Sequence, residues 1–319
     1  MVFADLKNDF VFRRVFANHA DLMTALLNDL LDRTGERAIE SLTYLPPEQA
    51  PEVPGAKLSI LDVKCVDRSG HVFVVEMQLL HIKGFLNRVV YNACKAYVGQ
   101  LAQGGHYKTL ANVVAVSICD FTIWPDGREA SEDGVEARAV PMVSRWRVTE
   151  AASGARDALG QVEYVFLELP KLRDSASRVG APAWAWLFRN SESLHAVPAD
   201  LPEPHRRALE LANEATFSAG EHDAYRKVRD EIEQARQLAE DSEEKGLAKG
   251  IAKGKAEGVA IGKADGVARA VLAVLDARGL SVTDAQRDRV LTCTDVGVLE
   301  GWVRAASLAA TTEDALGGR

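Results

Sequence analysis

Two acidic residues sit where a β-hairpin ordinarily carries apolar ones, Asp62 in SILDVKCV and Glu76 in HVFVVEMQLL. The runs around them are rich in β-branched and apolar residues and are joined by DRSG, so residues 59–80 read as a hairpin. Asp67 first and Gly70 fourth suit a type I turn closed by a left-handed glycine, which pairs Asp67 with His71. Counting outward sets Asp62 directly opposite Glu76, with Cβ atoms roughly 4.5–5.5 Å apart. Alternation by two puts Lys64 and Gln78 on the same face, with Leu58, Ile60, Val72, Val74 and Leu80. The other face, with Leu61, Val63, Phe73, Val75, Met77 and Leu79, is apolar as well, which predicts a sheet covered on both sides. Opposed carboxylates in that setting repel, so they must bind a proton, a basic partner or a cation. Hard divalent ions take oxygen ligands, and Mg²⁺ often uses one or two carboxylates plus substrate phosphate. An Asp62/Glu76 metal site able to activate water beside a phosphodiester is one reading. The other is structural, with Asp62 paired to Lys64 or Lys83 and Glu76 at a wet end of the sheet.

The elements that must hold this pair follow from pattern. NDFVFRRVF starts an amphipathic helix behind an Asn8 or Asp9 cap, and Asp21 to Arg33 continue with leucines at helical spacing. Residues 46–55, PPEQAPEVPG, read as a proline-rich loop. After the hairpin, residues 85–105 predict a long amphipathic helix stopped by Gly104 and Gly105. Residues 112–118, 139–148 and 162–169 read as strands, and strands alternating with helices indicate an α/β domain. Glu168 and Lys171, at the end of the last strand, suit a structural ion pair. From about residue 180 the pattern turns helical. Glycine then recurs at 246, 250, 254, 258, 262 and 266, among Lys, Glu and Ala. Two readings of that tract stand, a helix that joins two copies of the chain as a homodimer, or a solvated spacer. The expected organisation is a core over 1–180, a helical region over 181–244, the glycine-patterned segment over 245–268 and a small helical tail over 269–310.

Bulk properties remove several classes. With 47% hydrophobic and 26% charged residues the composition is that of a soluble globular protein, and no apolar run approaches the roughly 18 residues of a membrane helix. The acidic N-terminus lacks a secretory pattern, and Cys65, Cys94, Cys119 and Cys293 are too scattered for a zinc site or disulfide framework, so a cytoplasmic location is expected. The net charge of −8 argues against a simple nucleic-acid binder, yet residues 1–110 hold twelve basic and twelve acidic residues, so the acidic excess lies downstream. The histidines form no catalytic or metal-binding spacing.

The order D-x-K, turn, E-x-Q, helix resembles the PD-(D/E)xK nuclease superfamily. More closely, residues 5–172 resemble the recombination-promoting nuclease, or PD-(D/E)xK nuclease family transposase, group. The pieces that carry the likeness are NDFVFRRVF, SILDVKCVDRSGHVFVVEMQ, FLNRVVYNACKAYVGQLAQGGHYKTL, VVAVSICDF and FLELPKL. The resemblance implies a restriction-endonuclease-like α/β core, a mixed sheet flanked by helices, followed by a helical C-terminal region. It also implies DNA cleavage dependent on Mg²⁺ or Mn²⁺. Asp62 matches the PD acid, Glu76 the first acid of (D/E)xK, and Gln78 the lysine position. Leu61 replaces the proline, and Gln78 is a neutral amide that can orient water without supplying positive charge. Lys64 is the candidate to supply that charge. Asp9 matches the acid of the first core helix or is simply a helix cap. Arg88, Tyr91 and Lys95 share a helix face suited to DNA phosphates, or to solvent. The rival function is a catalytically weak or inactive DNA-binding or assembly protein that retains the nuclease fold. Strand joining, as the word transposase suggests, needs chemistry these residues do not reveal.

Overall fold

The computed structural model describes residues 1–49, 59–101, 104–125, 139–155, 158–173 and 178–317. The hairpin forms through β4 (Val63–Asp67) and β5 (Val72–Gln78), with Val63 opposite Val75 and Cys65 opposite Phe73. Its turn is the one the residues predict. Gly70 has φ +91°, Asp67 N–H donates to His71 O at 3.1 Å, and the Asp67 carboxylate accepts from Ser69 N and His71 N at 2.9 Å each. Only glycine adopts that backbone without strain, so the turn locks the register.

Around the hairpin, β1 (Leu42–Leu45), β6 (Val113–Cys119), β7 (Val143–Trp146) and β8 (Val162–Glu168) complete a six-stranded sheet of order β1-β4-β5-β6-β8-β7. β5, β6 and β8 run parallel, whereas β1, β4 and β7 are antiparallel to their neighbours. β6, apolar but for Ser117 and buried throughout, suits a strand covered on both faces, as does the buried Val165–Leu167 of β8. One face carries Val63, Cys65, Phe73, Val75 and Met77 into a core with Phe12 of α1 (Asp9–Phe12), Leu26 of α2 (Ala20–Leu30) and Trp184 of α4 (Ala181–Asn190). The other packs Val72, Val74 and Ala115 against Phe85, Val89, Ala93 and Ala96 of α3 (Phe85–Val98). Each fully buried Val, Leu, Phe or Met side chain contributes roughly 1.5–3 kcal/mol. The expected mixed sheet with flanking helices is what forms.

Several local features differ from the pattern reading. Asp62 lies in a bend just before β4, not inside a strand, and β3 is only Ser59–Ile60, paired with β2 (Glu48–Gln49). The predicted loop over 46–55 therefore includes a short strand, and its residues 50–55, like Leu58, lie outside the described residues. The bend resets the alternation, so Leu61 packs with Val72 and Val74 instead of with Val63. α3 ends at Gly99, short of Gly104. A Cβ at 99 would stand 2.9 Å from Lys95 O, so this capping position excludes larger residues without a backbone shift.

Two compact units are present, Met1–Arg236 and Gln237–Arg319. The first continues past residue 180, because α4, α5 (His205–Leu211) and the start of α6 (Ala219–Ala277) supply Phe188, Leu209 and Tyr225 to the same core. In the second, Val271 and Leu275 of α6 pack with Val290 of α7 (Asp284–Leu291), Leu299 of α8 (Val296–Leu308) and Leu316 of α9 (Thr312–Leu316). Thr283 and Gln286 form a reciprocal capping box on α7. Among the described residues no helix is long and apolar enough to cross a membrane.

Candidate active site

The carboxyl end of β5 opens into a cleft of about 500 Å³ in the first unit. Asp62 enters it from the bend before β4, Glu76 and Gln78 from β5, Asp9 from α1, and Arg88, Tyr91 and Asn92 from α3. Val228, Glu231, Ile232 and Ala235 of α6 form a further wall. Each element delivers its residue for a local reason. Asn8 caps α1 by accepting from Phe10 N at 3.0 Å, so Asp9 starts the helix and is free of the capping role. A π-helical turn, Arg13–Ala17, follows directly, and Arg13 at its start reaches Asp62. The β4–β5 register ends with Val63 opposite Val75, and Asp62 and Glu76, the next residue on each side, both line the cleft.

Hydrogen bonds hold both carboxylates in place. Asp62 Oδ2 accepts from Met77 N–H at 2.7 Å, and Oδ1 pairs with Arg13 Nη2 at 3.1 Å. Glu76 Oε1 accepts from Asn92 Nδ2 at 2.7 Å, and Oε2 lies 3.8 Å from Arg88 Nη2. Asp120 N–H donates to Gln78 O at 2.9 Å, and Lys7 Nζ pairs with the Asp120 carboxylate at 2.8 Å, which pins the end of β5.

The charges do not balance. Asp9, Asp62, Glu76 and Glu231 face Arg13 and Arg88. Burial raises the Glu76 carboxyl above its ordinary range, Arg88 and the Asn92 hydrogen bond oppose that shift, and Asp62 adds to it. Asp9 is pushed up to about 6, first by burial and then by Asp62, with Glu231 adding, while Arg13 and Arg88 pull it down. Crowded carboxyls whose ionised forms are disfavoured gain from a bound cation. Among the described residues no three His, Cys, Asp or Glu side chains gather as a metal-binding group. Two carboxylates still fit a hard divalent ion that completes its shell with water and phosphate oxygens.

The sequence candidates separate in space. Asp62, Glu76, Gln78, Asp9, Arg88 and Tyr91 share the cleft. Lys64 and Lys95 are not among its lining residues; burial lowers the Lys64 ammonium, and Lys95 Nζ sits 5.7 Å from the Tyr91 ring centroid. Arg13, Asn92 and Glu231 were missed. Arg13 follows Asp9 by four, one helical turn, and Asn92 interrupts the buried face of α3 four residues after Arg88; both spacings were visible. Glu231 had no local signal. Glu168 and Lys171 do form the expected structural pair, at 2.7 Å.

The family model for PD-(D/E)XK nuclease family transposases matches residues 6–240. The chain belongs to this family. The match covers the whole sheet, the cleft and the first part of α6, so the family core reaches beyond residue 180. Comparison with curated proteins and with solved structures gives no significant match. Membership in the family supports a nuclease-type function, and PD-(D/E)XK nucleases generally use divalent metal ions.

Proposed function

We propose that the chain is a DNA endonuclease dependent on Mg²⁺ or Mn²⁺, with Asp62 and Glu76 as metal ligands and a role in recombination or mobile-element processes. The observation that carries this reading is that two carboxylates, Asp62 and Glu76, line one open, net-acidic cleft closely enough for Asp62 to disfavour ionisation of Glu76. A bound ion supplies Lewis-acid stabilisation and a water of lowered pKa. The chain supplies the geometry. Met77 N–H and Asn92 fix one oxygen of each carboxylate, so the two acids face the cleft in set orientations. Arg13 and Arg88 neutralise the pair, and their remaining N–H donors suit phosphate oxygens of the scissile strand. Gln78 offers an amide that orients the attacking water. The positive charge that this position lacks comes in this reading from Arg88, which lines the cleft, and not from Lys64, which does not.

The test is supercoiled plasmid with Mg²⁺ or Mn²⁺. Nicking or linearisation by the wild type, reduced at least 10³-fold in both Asp62→Ala and Glu76→Ala, is expected; equal activity in all three would remove the hairpin from the reaction. Gln78 and the two arginine pairs favour one competing reading, a DNA-binding protein without turnover. That reading gains if calorimetric Mn²⁺ titrations of wild type and Asp62→Ala are indistinguishable.

A further inference from the structure

A second pocket in the first unit, of about 120 Å³, has the opposite charge. Three arginines line it, Arg173, Arg178 and Arg189, together with Trp186 and Asn190. Trp186, Arg189 and Asn190 project from one side of α4 at spacings of three and four, which brings them to a common face. The Arg178 guanidinium stacks 4.1 Å from the Trp186 ring centroid, which fixes its plane. Arg189 Nη1 donates to Leu172 O at 3.2 Å and keeps its other donors, and Asn190 is held by an Nδ2 bond to Trp186 O at 2.7 Å. The one acid paired with the cluster among the described residues is Asp200, 3.0 Å from Arg178 Nη1 and 70% exposed. Such a pair is weak and readily exchanged for a stronger anion.

We propose that this pocket binds a phosphate group. Planar guanidinium forks match phosphate oxygens two at a time, and the volume admits one tetrahedral anion. Its place in the fold points to the source. Gln78 is in register with Cys119, and Cys119 with Glu168, so β5, β6 and β8 end together. Leu172 and Arg173 follow the carboxyl end of β8 after one 3₁₀ turn, Leu169–Lys171. Arg173 therefore leaves the sheet at the same edge as Glu76 and Gln78, while Trp186, Arg189 and Asn190 come from α4, on the sheet face opposite α3. A duplex that runs on from the acidic cleft past this edge of the sheet would carry its backbone phosphates toward Arg173 and the guanidinium groups around it. That the phosphate belongs to DNA rests on the nuclease reading; free phosphate has the same chemistry.

Full-length protein in EDTA is titrated against a fluorescein-labelled 20-base-pair duplex at several salt concentrations. The double variant Arg173→Gln/Arg189→Gln is expected to bind about tenfold more weakly, with its log–log salt slope shallower by about 1. Asp200→Asn, which frees Arg178, is expected to bind about threefold more tightly, a gain that misfolding does not produce. Wild type binding the duplex while both variants match it in affinity and slope would overturn the pocket and leave the nuclease reading standing. No duplex binding, but a thermal upshift with millimolar inorganic phosphate that the double variant lacks, would support the phosphate site and assign it to free phosphate. The absence of both duplex binding and a phosphate upshift would overturn the proposal.

Discussion

Two residues bear on how the acids of the cleft ionise. Asn92 is 5% exposed, and its amide favours the charged form of Glu76. Asn92→Ala removes that bond, so the Glu76 carboxyl moves further up and the acid limb of a plasmid-nicking pH profile shifts to higher pH. The plateau rate falls less than in Glu76→Ala, because the carboxylate itself remains; an unmoved acid limb would make Asn92 a packing residue only. Asp9 gives a stability prediction with a definite sign. Its ordinary value is 3.8, and in the fold it is about 6. Below 3.8 the carboxyl is neutral folded and unfolded. As pH rises through about 6 the folded protein must ionise a group that burial and Asp62 disfavour, and stability is lost. Asp9→Asn should therefore be more stable than wild type at pH 7.5, by about 1–2 kcal/mol once solvent screening of this partly exposed group is allowed for. The gap should close toward pH 4 in denaturant titrations. A gap of the same size at both pH values would mean that ionisation is not its cause.

The elements show how far pattern reaches. The hairpin was legible because turn chemistry and two-residue alternation agree, and the register they predict, Val63 opposite Val75 and Cys65 opposite Phe73, is the one that forms. β6 and β8 were legible as short runs rich in β-branched and aromatic residues. Leu61 was not, because alternation carries no record of a bend, and the bend at Asp62 sends Leu61 to the opposite core. The end of α3 was read too late because Gly99 is a single glycine, and its closeness to Lys95 O is visible only once the helix exists. Lys64 was placed correctly on its strand, opposite Val74, but a strand face is longer than a cleft, and Lys64 falls outside the lining. Glu231 reaches the cleft only because α6 folds back against a hairpin far away in the chain, a contact no local pattern encodes. If the turn sets the register, a side chain at its left-handed glycine should weaken the hairpin. Gly70→Ala, at φ +91°, is expected to lower stability by about 1–2 kcal/mol in urea unfolding. The added Cβ meets its nearest neighbour, Ala111 Cβ, at 3.8 Å, so the loss would come from backbone strain and not from a clash. An unchanged midpoint would show that the turn follows the strands instead of setting them.

For the molecule as a whole, the six glycines from Gly246 to Gly266 pose the remaining question. All lie within α6, where each costs about 1 kcal/mol relative to alanine. A Cβ added at any of them meets nothing within 4 Å among the described residues, so no packing seen there requires them. Replacing all six with alanine should raise far-ultraviolet helicity and shift thermal unfolding of the Gln237–Arg319 unit upward, by several kcal/mol at most because a frayed helix returns only part of the propensity gain. A homodimer through this region makes a second, opposite prediction. Close approach of two backbones needs hydrogen atoms where alanine puts methyl groups, so the alanine version should lose a dimer that the wild type forms. Molar mass by light scattering, measured on both proteins alongside the melts, separates the roles. Higher helicity with a dimer lost assigns the tract to self-association. Higher helicity at unchanged mass makes it a spacer whose glycines keep the helix weak.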